Sequence, residues 1–134
     1  MLYFLKGATL LYAGQEWEND HRPSLFEKED IDRETGHDLS PLLQTLAQIK
    51  KEYLSADDAF FATAINESKT AVMIRFNKES KKIGIFSLKS QPAEVKLEVP
   101  DGTYQNLVTG TDIHISDGSL TTDGKPIIFT IPVE

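Results

Sequence analysis

The stretch Thr9-Leu10-Leu11-Tyr12-Ala13-Gly14-Gln15-Glu16 reads as a short buried strand over 9–12, released at Gly14 into a polar loop that runs to Asp32. Ahead of it, Leu2-Tyr3-Phe4-Leu5-Lys6-Gly7 reads as the last turns of an apolar helix over 1–6. Gly7 stops that helix, since glycine adopts the left-handed closing conformation at low cost. A helix end, a glycine stop, an apolar strand and an acid-bearing loop are the parts of a βα unit from a parallel sheet. Strands in such sheets are buried on both faces and continuously apolar, and functional groups gather on the loops beyond their carboxyl ends. A parallel strand needs parallel neighbours, and this chain supplies no second βα unit. The strand is therefore expected to be the last piece of a larger structure.

Working outward, Gly14 to His37 is polar, rich in acids and without periodicity, which predicts a long irregular loop with one helical turn near Pro23-Ser24-Leu25-Phe26. Loops of that length in compact domains are usually functional or disordered. A helix follows. Ser40 suits the N-cap and Pro41 the first helical position, where its missing N–H costs nothing. Leu39, Leu42, Leu43, Leu46, Ile49, Tyr53 and Leu54 recur at intervals of three and four and form one apolar face. That face must be covered by the β region, by a second copy or by the rest of a larger protein.

Around Ser55-Ala56-Asp57-Asp58 the period changes from 3.6 to 2, and the expected domain boundary falls there, dividing 1–56 from 57–134. Phe60 to Ala64, Thr70 to Phe76, Ile83 to Phe86, Ala93 to Val99, Tyr104 to Val108, Ile113 to Ile115 and Ile127 to Ile131 read as strands. Asp117-Gly118 and Asp123-Gly124 are hairpin turns that tolerate positive φ. About seven or eight short strands at that spacing predict an antiparallel Greek-key β-sandwich. The fold class is mainly β, preceded by a helical segment.

The segment Leu5 to Glu16, followed by Arg22-Pro23-Ser24-Leu25-Phe26-Glu27-Lys28 and Ile31-Asp32, resembles the closing part of the α-amylase family of glycoside hydrolases. In that family the pattern apolar-x-x-Gly-x-Pro-apolar-apolar-Tyr-x-Gly-x-Glu forms the eighth barrel strand and the start of its loop. Thr9 stands here where the family usually has proline. The resemblance is close over 1–54 and architectural beyond. It implies that 1–56 is the last βα unit of a truncated barrel and that a C-terminal β-sandwich domain follows. Asp101-Gly102-Thr103-Tyr104-Gln105-Asn106-Leu107-Val108-Thr109-Gly110 resembles a Gly-x-Tyr-x-Asp-Leu-apolar-x-Gly hairpin common in that domain, with Asn106 where aspartate is more usual.

Composition bounds the alternatives. A chain of 134 residues with 40% hydrophobic content can build a real core. No cysteine is present, which removes disulfides, thiolate metal sites and thiol nucleophiles and leaves the compartment undetermined. A net charge of −7 disfavours nucleic acid as a partner. No apolar run approaches the roughly 20 residues of a membrane span. Lys6 and Gly7 interrupt the opening apolar run, which argues against a signal peptide.

Glycoside hydrolysis needs two carboxyl groups across the scissile bond. The resemblance implies that these, and a third aspartate in an Asn-His-Asp type motif, lie on strands before the eighth. No such motif occurs here, so no catalytic residue is assigned and the chain alone is expected to be inactive. The candidate substrate-binding residues are Glu16, just beyond the strand, Trp17, whose ring could stack on a sugar, and Asp20 within Asn19-Asp20-His21-Arg22. Each has a plainer reading: Glu16 as a brace for the loop, Trp17 and Tyr12 as packing residues, and the polar run as a solvated surface.

Asp30, Asp32 and Glu34 alternate like the start of a calcium loop, but Gly36 falls one position late and Pro41 occupies the place of the final acid. His21, His37 and His114 lack zinc-like spacing, and His114 reads as an outward-facing strand residue. No metal or cofactor is assigned, and calcium in a parent enzyme stays open. An oligosaccharide is the expected partner of that parent. The uncovered surfaces of 1–12 and 39–54 point to self-association of the chain or to poor order in its first 35 or so residues, because burial gains roughly 25 cal/mol per Å². The alternative function is a stand-alone β-sandwich module that binds carbohydrate or protein.

Overall fold

The computed structural model describes residues 1–21 and 24–133. Among the described residues one α-helix, α1 (Ser40–Tyr53), precedes eight strands: β1 (Ala59–Ile65), β2 (Thr70–Phe76), β3 (Ser80–Ser87), β4 (Ala93–Lys96), β5 (Gly102–Gln105), β6 (Asp112–Ile115), β7 (Ser119–Thr122) and β8 (Ile127–Pro132). All pairings are antiparallel. A four-stranded sheet runs β1-β2-β3-β8, and the ribbons β4-β7 and β5-β6 pack over one of its faces. The long-range pairings of β3 with β8 and of β4 with β7 give the expected antiparallel sandwich.

The alternation of side chains along a strand decides the layers. Val72, Ile83, Ile85, Ile127, Phe129 and Ile131 point from the large sheet to Ala93, Val95, Leu97, Ile115 and Leu120, forming the sandwich core. The intervening residues Met73, Phe86 and Ile128 point the other way, onto Phe4 and Ile49, with Leu5, Leu46 and Leu54 beside them. Away from β1 the large sheet is thus covered on both faces, which is why Ile83-Gly84-Ile85-Phe86 of β3 and Ile127-Ile128-Phe129 of β8 are continuously apolar. The apolar face of α1, free to choose among several covers from sequence alone, lies on this sheet.

Gly84 makes the seat for the amino-terminal segment. A Cβ there would stand 2.6 Å from the Phe86 ring and 3.2 Å from that of Phe4. Without it, the two rings pack tilted at 59° with centroids 5.7 Å apart, and Phe4 is wholly buried.

Three local expectations are corrected. The helical turns before Gly7 shrink to one 3-10 turn, Leu2–Phe4, closed at Leu5. Residues 9–12 form no strand: they have no ladder partner, and Leu10 and Tyr12 are exposed. A parallel strand cannot exist without its neighbours, so the segment runs as irregular coil. Leu39, not Ser40, is the N-cap of α1, while Asp38 Oδ1 accepts from the Ser40 amide at 2.8 Å. The Asp117-Gly118 turn takes φ of 51° and 64°, as a tight hairpin requires.

A polar junction ties the amino-terminal segment to the sandwich. Asp58 is fully buried in the turn between α1 and β1. Its carboxylate accepts from the Ser55 amide at 3.0 Å and from Asn77 Nδ2 at 3.1 Å, and meets Lys82 Nζ at 3.3 Å and Arg75 Nε at 3.5 Å. Arg75 also donates to the carbonyls of Phe4 at 3.2 Å, Leu5 at 3.4 Å and Ser55. Lys50 Nζ donates to the carbonyls of Tyr3 and Leu5, and Lys6 Nζ to that of Asp58. Burial pushes the Asp58 carboxyl up, but the Ser55 amide, Lys82 and Arg75 outweigh it and hold it below the usual carboxylate range.

Candidate functional site

The loop between Ala13 and Leu39 is built on local hydrogen bonds. Gly14 takes a φ of 96° and starts the 3-10 turn Gln15–Trp17. Gln15 Oε1 accepts from the Tyr12 amide and Glu16 Oε2 from the Gly14 amide, each at 2.9 Å. The Asn19 amide donates to the Gly14 carbonyl, and the Leu39 amide to that of Glu16 at 2.8 Å. The last bond joins the start of the loop to the start of α1. Where the two limbs cross, a Cβ on Gly36 would stand 1.7 Å from the Trp17 carbonyl oxygen, so only glycine fits.

Carboxylates pin the outer loop. Glu29 Oε2 accepts from the Ser24 amide and meets His21 Nε2 at 3.1 Å. Asp32 receives the Glu34 and Thr35 amides and the Thr35 hydroxyl. These bonds hold both carboxyls below their usual range, chiefly through the Ser24 amide at Glu29 and the Thr35 hydroxyl at Asp32. His37 Nδ1 lies 2.7 Å from Glu18 Oε2. Asp30, Asp32 and Glu34 do not converge, and among the described residues no group of three His, Asp or Glu side chains could hold a metal ion.

An open cleft of about 730 Å³ lies along the inner limb. Tyr12, Leu25 and Phe26 supply its apolar walls, and Gln15, Asn19, Asp20 and His21 its polar groups. Of the three candidate residues, Asp20 is exposed and lines the cleft. Glu16 is half-buried and bonded to the Gly14 amide. Trp17 is half-buried outside the cleft, with the Arg33 guanidinium 5.9 Å from its ring centre. The aromatic groups at the cleft are Tyr12 and Phe26, the latter 96% exposed. Arg22 and Pro23, which belong to the polar run and the expected helical turn, lie outside the described residues. From Ser24 on, the chain is bent, with Ser24 Oγ accepting from the amides of Phe26 and Glu27.

Sequence reasoning missed the Asp58-Arg75-Lys82 junction. Its signal was Arg75 itself, a lone cation inside the apolar run Thr70 to Phe76. Asn106 is a further buried polar residue. It donates to the Pro126 carbonyl at 3.2 Å while its Oδ1 accepts the Val108 and Ile128 amides, each at 3.1 Å. His114 is exposed on β6, with Nδ1 3.0 Å from Thr103 Oγ1. Among the described residues no helix is long and apolar enough to cross a membrane.

An antiparallel sandwich with α1 and Phe4 on the second face of its large sheet is the architecture expected of an α-amylase C-terminal domain, and comparison bears this out. Residues 61–129 match the bacterial alpha amylase C-terminal domain, and the chain belongs to that family. An α-amylase from Lactobacillus plantarum superposes with a TM-score of 0.80 at 28% identity, over 96% of this chain and 30% of its own. The maltogenic α-amylase AmyB from Thermotoga neapolitana has the same fold, with a TM-score of 0.73 at 14% identity over 99% of this chain and 35% of its own. AmyP, solved with maltotriose, gives 0.65 at 15% identity over 98% and 33%. The chain thus spans about a third of the length of these enzymes, and the likeness takes in the amino-terminal segment as well as the sandwich. No curated protein matches the chain.

Proposed function

We propose that this chain is the closing portion of an α-amylase-like glycoside hydrolase acting on α-glucosidic bonds of starch-like oligosaccharides. Its part is structural: it fixes a substrate-facing loop on a stabilising sandwich and contributes no catalytic carboxylate. The observation that carries this reading is the attachment of the loop's root, through Phe4 and the carbonyls held by Arg75, to the same sheet that forms the family's domain. A retaining or inverting mechanism needs a pair of carboxyl groups facing one bond. Asp20 is the one carboxylate among the described lining of the cleft.

In this reading Asp20 and Asn19 receive sugar hydroxyls while Tyr12 offers a ring face. The Glu16 carboxylate and Trp17 shape the loop from behind and reach substrate through that shape. Titration of the chain with a maltooligosaccharide, followed by amide chemical shifts, tests this. Shifts confined to Tyr12, Ala13, Gln15, Asn19 and Asp20, with no reducing sugar released, are expected. Release of reducing sugar by the chain alone, or shifts confined to the sandwich, would overturn it.

A further inference from the structure

The two edges of the large sheet are treated differently. In an antiparallel ladder, successive residues turn their N–H and C=O to opposite sides. On β8 the outward groups of Ile128, near the middle of the strand, are occupied: the Leu107 amide donates to its carbonyl at 2.7 Å, and its own amide donates to Asn106 Oδ1. On β1 the outward groups follow from the register. The Asn77 amide donates to the Ser80 carbonyl and the Leu88 amide to that of Lys69, so the odd-numbered residues of β2 face β3. The even ones face β1 and engage Ala59, Phe61, Thr63 and Ile65. Phe60, Ala62 and Ala64 are left with peptide groups pointing away from the sheet.

This edge lacks the devices that usually block strand addition, namely charge, proline and bulges. Ala59-Phe60-Phe61-Ala62-Thr63-Ala64-Ile65 carries no charge in a chain whose net charge is −7. Two copies can approach along it without meeting a like-charged side chain of the strand. The strand pairs with β2 over all seven residues without a break, and all but Ile65 are exposed, Phe61 by 56%.

We infer that β1 is a homotypic docking edge, at which a second copy of the chain adds its own β1 in antiparallel register about a two-fold axis through Ala62. In that register the outward peptide groups of Phe60, Ala62 and Ala64 meet those of Ala64, Ala62 and Phe60 of the second copy. Each large side chain lies over a small one, Phe60 over Ala64 and Phe61 over Thr63. The contact is isologous and closes as a dimer, joining two large sheets into one. It does not rest on the hydrolase reading. It also places self-association on the sandwich rather than on the amino-terminal surfaces or on α1, whose Leu46 and Ile49 are packed on the large sheet.

Sedimentation equilibrium of the full chain over a wide concentration range tests this, together with Ala62→Pro and Ala62→Lys. The Ala62 amide is not used in the ladder to β2, so proline removes no internal bond there, and lysine on an exposed edge leaves the fold intact. Wild type is expected to approach twice the chain mass of 15.0 kDa. Each substitution should weaken association by about tenfold or more, a change of about 1.4 kcal/mol, while Thr121→Lys, at the one exposed position of β7, should not. A wild-type monomer throughout, or a dimer that the Lys or the Pro variant leaves as tight, would overturn the inference.

Discussion

The Asp58 carboxylate lies 3.5 Å from Arg75 Nε with both side chains buried, and the far end of the same guanidinium holds the Phe4, Leu5 and Ser55 carbonyls. Removing one partner of a buried pair strands the other charge. Asp58→Ala, which leaves Arg75 and Lys82 without their anion, should therefore cost about 3–5 kcal/mol in urea unfolding. A loss below about 1 kcal/mol would mean that the junction is solvated.

The same carboxyl sets a pH dependence. Its folded-state pKa is lowered, so its contribution is complete above the unfolded value of about 3.9 and fades as pH falls through the lower folded value. Thermal melts from neutral to acid should show a smaller loss on acidification below about pH 4 in Asp58→Asn than in wild type. Parallel curves would contradict the linkage.

Phe4 behaves as core although it is the fourth residue of the sequence. Phe4→Ala should cost about 3–5 kcal/mol, comparable to a deep sandwich substitution at Phe129. Gly84→Ala should cost about 1–3 kcal/mol by crowding the Phe86 ring. A negligible effect of Phe4→Ala on urea unfolding would make the amino-terminal segment a detachable tail.

Asn106 uses both ends of its amide, donating to Pro126 and accepting from Val108 and Ile128. Asn106→Asp keeps the acceptor but turns a carboxylate oxygen on the Pro126 carbonyl. A loss of about 1–3 kcal/mol at neutral pH is expected. Part of it should return on acidification, when a protonated carboxyl can donate again, and melting curves across pH report this. Stability equal to wild type at neutral pH would show that the donor is dispensable.

Much of the fold was legible because its signals are local. Alternation marked the strands, the Leu46 and Ile49 spacing marked α1, and Asp117-Gly118 marked a tight hairpin. The strand at 9–12 was misread because Leu10 and Leu11 have strand chemistry but lack ladder partners in this chain. The cover of α1 was illegible because Met73, Phe86 and Ile128 belong to strands whose other face already had a core. Asp58 looked like a linker acid; only the fold brings Arg75, Asn77 and Lys82 to it. At the candidate site, Glu16, Trp17 and Asp20 are neighbours in sequence, yet the turn at Gly14 sends Asp20 to the cleft and Trp17 behind it. Only backbone geometry makes that choice.

If this chain serves as the C-terminal portion of an α-amylase-type hydrolase, as we propose, it should restore starch hydrolysis to a chimera in which it replaces the matching C-terminal part of the Lactobacillus plantarum enzyme. The chimera should release reducing sugar and the chain alone none. A folded but inactive chimera, or hydrolysis by the isolated chain, would contradict it.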